Sequence, residues 1–126
     1  MIAYSTIGTN NMDDARKFYG ELLGELGAKE LLVRPDGGFV AFGTAPDQAM
    51  FAIAKPFDGS SAAPGNGNMV AIACKNPSHV SEMYNKAVAL GARCDGEPGP
   101  RADGMVSCAY VRDADGNKLN FFCMGS

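Results

Sequence analysis

The chain has a single histidine, no closely spaced cysteine pair, few basic residues and no long apolar run, and each shortage removes a class of function. With only His79, no two-histidine facial triad can form within one chain, so the usual ligand set of non-haem iron oxygenases is excluded. The four cysteines stand at 74, 94, 108 and 123, spacings that match neither a zinc knuckle nor a redox Cys-x-x-Cys motif. Free thiols in a reducing cytosol are the expectation, with Cys74 and Cys123 in apolar strand patterns. Eleven basic residues are scattered, only Arg16 and Lys17 being adjacent, and the net charge is −3, which leaves no phosphate-tracking face; no nucleic-acid partner is expected. The uncharged stretches 39–46 and 62–72 are broken by glycine, proline or asparagine and fall short of a bilayer span. No basic region precedes an apolar run at the start. The expectation is a soluble, cytoplasmic protein with no membrane partner.

What is present is a pattern that occurs twice. Residues 1–8 alternate as a strand, with Tyr4 and Thr6 on one face. Asn10 and Asn11 offer a helix cap, with Asp13 and Asp14 in the first turn, where the positive end of the helix dipole favours carboxylates. The stripe Ala15, Phe18, Tyr19, Leu22, Leu23 and Leu26 predicts one buried helix face ending at Gly27. Strands are predicted over 30–33, 39–43 and 48–54. Residues 55–67, rich in proline, glycine, serine and alanine, read as an internal linker.

The plan then returns. A strand over 68–74 precedes a helix capped by Asn76 with Pro77 at its first position, where a missing N–H costs nothing. That helix is expected to bury Val80, Met83, Tyr84, Ala87 and Val88. Its end, Leu90-Gly91-Ala92, mirrors Leu26-Gly27-Ala28 at an offset of 64 residues. Strands near 93–97, 105–112 and 118–124 follow, with Pro98-Gly99-Pro100 as a loop and Asp113 to Asn117 as a tight turn closing the last hairpin. The predicted fold is α+β: two βαβββ modules, about 1–54 and 68–126, in one domain spanning 1–126. Together they form a curved eight-stranded mixed sheet with two main helices, since neither half can bury both faces of its sheet alone.

Asp13-Asp14-Ala15-Arg16-Lys17-Phe18-Tyr19, the following Leu22-Leu23-Gly24, the helix-ending Leu-Gly-Ala and the Asp113-Ala114-Asp115-Gly116-Asn117 turn stand in a recognisable order. In that order they resemble the vicinal oxygen chelate superfamily of glyoxalases, bleomycin resistance proteins and extradiol dioxygenases. The resemblance runs from Met1 to Met124. It implies a sheet cup with one metal ligand from each of four strands, at places held here by Tyr4, Ala52, Met69 and Asn120. None is histidine or a carboxylate, and a glutamate ligand of the metal-dependent members is replaced by Asn120, so no metal and no cofactor is expected.

With that site gone, Tyr4, Thr6, Met69, Asn120 and Phe122 become candidate lining for a small organic ligand, with Arg101 as a candidate anion anchor. The expected function is metal-free small-molecule binding in the manner of the bleomycin-resistance branch, which implies a homodimer with shared pockets as one form open to the chain. The alternative is an enzyme of the same superfamily, such as a glyoxalase-like lyase or isomerase. One version would use Tyr4 as general acid with Arg101 holding an anion, though no base is apparent for it.

Overall fold

The computed structural model describes residues 1–126 and divides into two compact units, Met1–Pro64 and Gly65–Ser126. In the first unit β1 (Tyr4–Gly8) is followed by α1 (Met12–Gly24), β2 (Lys29–Val33), β3 (Phe39–Gly43) and β4 (Met50–Ala54). The strands form one sheet in the order β1-β4-β3-β2, with β1 parallel to β4 and the other neighbours antiparallel.

The start of α1 follows from its cap: the Asn11 side chain accepts a hydrogen bond from the Asp14 N–H at 3.1 Å, and Asp13 and Asp14 fill the first turn. Met12, Ala15, Tyr19, Leu22 and Leu23 are buried. Each large side chain so removed from water contributes about 1.5–3 kcal/mol. Phe18 and Leu26, expected in that stripe, are only half-buried, and Met12 joins it instead. The helix packs on the sheet through Tyr19, whose ring centroid lies 4.8 Å from that of Phe51. Regular helix stops at Gly24, before the predicted Gly27. Gly27 adopts φ 78, the left-handed stop, and the Ala28 N–H reaches back to the Leu23 carbonyl at 3.2 Å.

In the second unit β5 (Val70–Ala73), α2 (Pro77–Ala89), β6 (Arg93–Arg101), β7 (Val106–Arg112) and β8 (Lys118–Met124) form a sheet ordered β5-β8-β7-β6, with β5 parallel to β8. The architecture is thus α+β, with two βαβββ modules and eight strands hydrogen-bonded as two four-stranded mixed sheets. Asn76 caps α2 by accepting the His79 N–H at 2.8 Å. Val80, Met83 and Ala87 are buried, while Tyr84 is half-buried and Val88 exposed, contrary to the predicted stripe. Helix α2 packs against β6, β7 and β8, where Val111, Leu119 and Phe121 are fully buried.

Pro98-Gly99-Pro100 is not a loop: β6 continues through it to Arg101, with register shifts between Cys94 and Gly99. Two prolines are tolerated because β6 is the edge strand, where a missing N–H can face away from the ladder. The reversal comes later, at Ala102, Asp103 and Gly104, with φ values of 51, 54 and 83.

The closing hairpin is built around Asp113. Its carboxylate accepts from the Asp115 N–H at 3.0 Å, the Asn117 N–H at 2.9 Å and the Asn117 side-chain amide at 3.0 Å, and Gly116 supplies φ 86. That turn sets Arg112 opposite Lys118, and therefore Tyr110 opposite Asn120 and Cys108 opposite Phe122.

Candidate functional site

On β8, side chains alternate between the two sheet faces. Leu119, Phe121 and Cys123 are buried with α2, so Asn120, Phe122 and Met124 point to the opposite face, together with Cys108 and Tyr110 of β7. Asn120 is 4% exposed, and its Oδ1 is buried without a hydrogen-bond partner. A buried amide oxygen left unpaired costs about 1–3 kcal/mol. It is the one such side-chain atom in the chain.

Tyr110, directly across the ladder, has cations over its ring: Lys118 Nζ at 4.9 Å and the Arg101 guanidinium carbon at 5.7 Å from the centroid. A hydrogen bond with the Cys108 side chain, followed by burial, raises the Tyr110 phenol above its ordinary pKa, while Arg101 opposes the shift. The phenol is therefore neutral near pH 7.

The neighbouring charges differ in their pairing. Arg112 and Lys118 both meet Asp95, at 3.0 and 3.4 Å. Burial pushes the Asp95 carboxyl up, and the hydrogen bonds from Arg112 and Lys118 more than reverse this, leaving it below the ordinary carboxylate range. Arg101 has no acid. Its guanidinium donates to the Glu97 carbonyl at 2.8 Å and to the Pro100 carbonyl at 3.2 Å, which fixes its position and leaves N–H groups unused. Arg101 stands at the end of β6, where the sequence placed a loop residue.

The six expected site residues fall in both units. Asn120, Phe122 and Arg101 are brought to one neighbourhood around Tyr110. Met69 lies one residue before β5 and is 44% exposed. Tyr4 and Thr6 belong to the first unit: the Tyr4 ring meets Phe39 edge-on at 5.4 Å, and Thr6 lines a depression of about 580 Å³ that also includes Arg34, Lys55 and Phe57. Sequence reasoning missed Tyr110 and Cys108, which the ladder register supplies, and it assigned no site to residues 55–63, which wall this depression.

Nowhere do three histidine, cysteine, aspartate or glutamate side chains gather as a group able to hold a metal ion. The Ala52 methyl is fully buried and offers no donor, and the Tyr4 phenol, Met69 thioether and Asn120 amide are poor partners for a divalent ion. His79 is committed to the helix start, its Nδ1 accepting the Lys75 N–H at 3.0 Å. All four cysteines are free thiols: Cys108 and Cys123 are buried, Cys94 is exposed, and burial raises the half-buried Cys74 above its ordinary pKa. No helix is long and apolar enough to cross a membrane.

The family model described as Glyoxalase/Bleomycin resistance protein/Dioxygenase superfamily matches residues 1–121. No curated protein matches the sequence. Among solved structures, a glyoxalase/bleomycin resistance protein from Albidiferax ferrireducens T118 is 29% identical, with a TM-score of 0.84 over 97% of each chain. A glyoxalase-related enzyme from Fulvimarina pelagi is 18% identical, with a TM-score of 0.75 over 100% of this chain and 95% of that one. A lactoylglutathione lyase from Agrobacterium tumefaciens is 20% identical, with a TM-score of 0.70 over 97% of this chain and 92% of that one. The latter two likenesses speak to fold alone.

Proposed function

The chain belongs to the Glyoxalase/Bleomycin resistance protein/Dioxygenase superfamily, and from that premise we propose that it is a binding protein that works without a metal, holding a small organic molecule against the β7–β8 face. The observation that carries this reading is the orphaned Asn120 Oδ1. A buried acceptor without a donor is a standing penalty that a ligand N–H or O–H removes once the side chains covering it part to admit the ligand, so the ligand carries such a donor. Phe122 and the Tyr110 ring give apolar walls, and Arg101 offers a positioned cation for an anionic substituent.

The metal-free part rests on donor chemistry. A phenol, a methyl, a thioether and a carboxamide stand at the four places where the resemblance puts metal ligands, and this set does not fit a divalent transition ion. For the lyase alternative, the Agrobacterium tumefaciens enzyme supplies likeness of fold at 20% identity.

Native mass spectrometry of the purified protein tests the reading. A co-purifying small molecule is expected in the parent, reduced in Arg101→Gln and absent in Asn120→Leu. Equal occupancy in all three would remove Asn120 and Arg101 from the site.

A further inference from the structure

We propose that the depression beneath residues 55–63, formed wholly by the first unit, is a binding site for a small aromatic anion such as an arylcarboxylate, arylsulfonate or arylphosphate. Its volume of about 580 Å³ is within the range of small-molecule pockets.

The wall of this depression is held in place by the protein itself. Where β4 ends, the Lys55 N–H bonds to the Gly38 carbonyl at 2.9 Å. The chain then turns, with the Gly59 N–H on the Pro56 carbonyl at 3.1 Å, Gly59 at φ 76, and the Ser60 N–H on Asp58 Oδ1 at 2.9 Å. At the far end the Asn10 side chain grips Ala62 twice, accepting its N–H at 2.7 Å and donating to its carbonyl at 3.0 Å. Gly8 permits this approach: a Cβ there would fall 3.0 Å from the Ala62 Cβ. A segment pinned in this way has lost its freedom before any ligand arrives, which lowers the entropic cost of binding.

The chemistry presented is specific. Ile7, Ala54 and Ala62 give apolar surface, and the Phe57 ring stands fully exposed at the rim, with no aromatic neighbour. An aromatic side chain left in water on a pinned segment is surface that a flat ring can cover. Of the two cations, Arg34 is paired through Nε with Asp36 at 2.8 Å, whereas Lys55 makes no ion pair. The hydroxyls of Ser60 and Ser61 have no protein partner, and the one acid in the lining, Asp58, turned to the Ser60 N–H, is outnumbered by Arg34 and Lys55. A ring to stack on, an ammonium in no close ion pair, a second cation in Arg34 and two free hydroxyls together select a planar molecule bearing negative charge.

The test is a fluorescence titration of the full chain with 8-anilino-1-naphthalenesulfonate, supported by amide chemical-shift mapping. Saturable binding is expected, with one set of shifts at Gly8 and residues 59–63 following a single isotherm. Lys55→Gln and Phe57→Ala, both at exposed positions, should each raise the dissociation constant about tenfold. About 0.5 M salt should weaken binding to the parent more than to Lys55→Gln. Shifts at Gly8 and residues 59–63 report this depression and shifts at residues 108–110 and 120–122 report the β7–β8 face, so the two sites are read separately in one titration. Absence of saturable binding, shifts lying only elsewhere, or a constant within about twofold of the parent in either exposed variant overturns the proposal.

Discussion

A carboxamide oxygen sealed from water without a donor opposes folding, and Asn120 keeps one in the middle of a paired strand. If that oxygen serves a ligand, its removal should stabilise the empty protein. Asn120→Leu, which fills similar space with no polar atom, is expected to raise unfolding stability by about 1–3 kcal/mol in urea titrations of ligand-free protein. Loss of stability in that variant would mean that the amide is used within the fold. Asn120 was legible because the family resemblance puts a metal ligand at its place, and alternation along 118–124 then adds Phe122 to its face. Its partners were not, since Tyr110 and Cys108 share its face only through a cross-strand register. In retrospect the turn contained that information: closing at 113–117 pairs 112 with 118, and the ladder counts back from there. Arg101 was legible as a cation in the proline-glycine loop predicted before the seventh strand, but its tether to the Glu97 and Pro100 carbonyls depends on β6 running through both prolines.

At the scale of elements, caps and turns were the most readable features because their chemistry is local. Asn11 and Asn76 start the two helices, Gly27 and Gly91 stop them with positive φ, and Asp113 organises the final reversal. Asp113→Ala deletes three accepted hydrogen bonds at a buried position and should cost about 2–4 kcal/mol, read from the midpoint of chemical denaturation. A cost under about 0.5 kcal/mol would show that Gly116 and the strand pairing suffice. Acid sensitivity also belongs at this scale. Hydrogen bonds from Arg16 of α1 hold the Glu30 carboxyl of β2 below its ordinary value of 4.5, at 2.6 and 2.7 Å. A depressed folded-state pKa contributes stability above the unfolded value, and that contribution fades as pH falls through the folded one. The urea midpoint should therefore drop as pH is lowered from 4.5, and drop less in Glu30→Gln. Identical pH profiles would mean that this exposed pair contributes nothing, as many surface pairs do. Residues 55–67 carry no helix or strand and include the boundary between the two units, but composition could not show that Asn10 grips Ala62, a contact spanning 52 residues of sequence.

For the molecule as a whole, the repeat first visible in Leu-Gly-Ala extends to hydrogen bonds. Ala28 reaches back to Leu23 and Ala92 to Ala87, each 64 residues apart from its counterpart, and both sheets place their first strand parallel to their last. Internal duplication made the fold legible, yet it could not indicate which of the two sheets carries the orphaned amide. A chain whose four inherited ligand places hold Tyr4, Ala52, Met69 and Asn120 should ignore added zinc, nickel or manganese. The expected result is no change in Tm, where a one-to-one site filled at a hundredfold over its dissociation constant would add about 2.7 kcal/mol. A stoichiometric ion with a matching rise in Tm would reverse the metal-free proposal. The prolines of β6 carry one more consequence. Pro98 and Pro100 leave gaps in the outward row of donors on that border, so an incoming chain finds no continuous template there and fibre growth is denied a start.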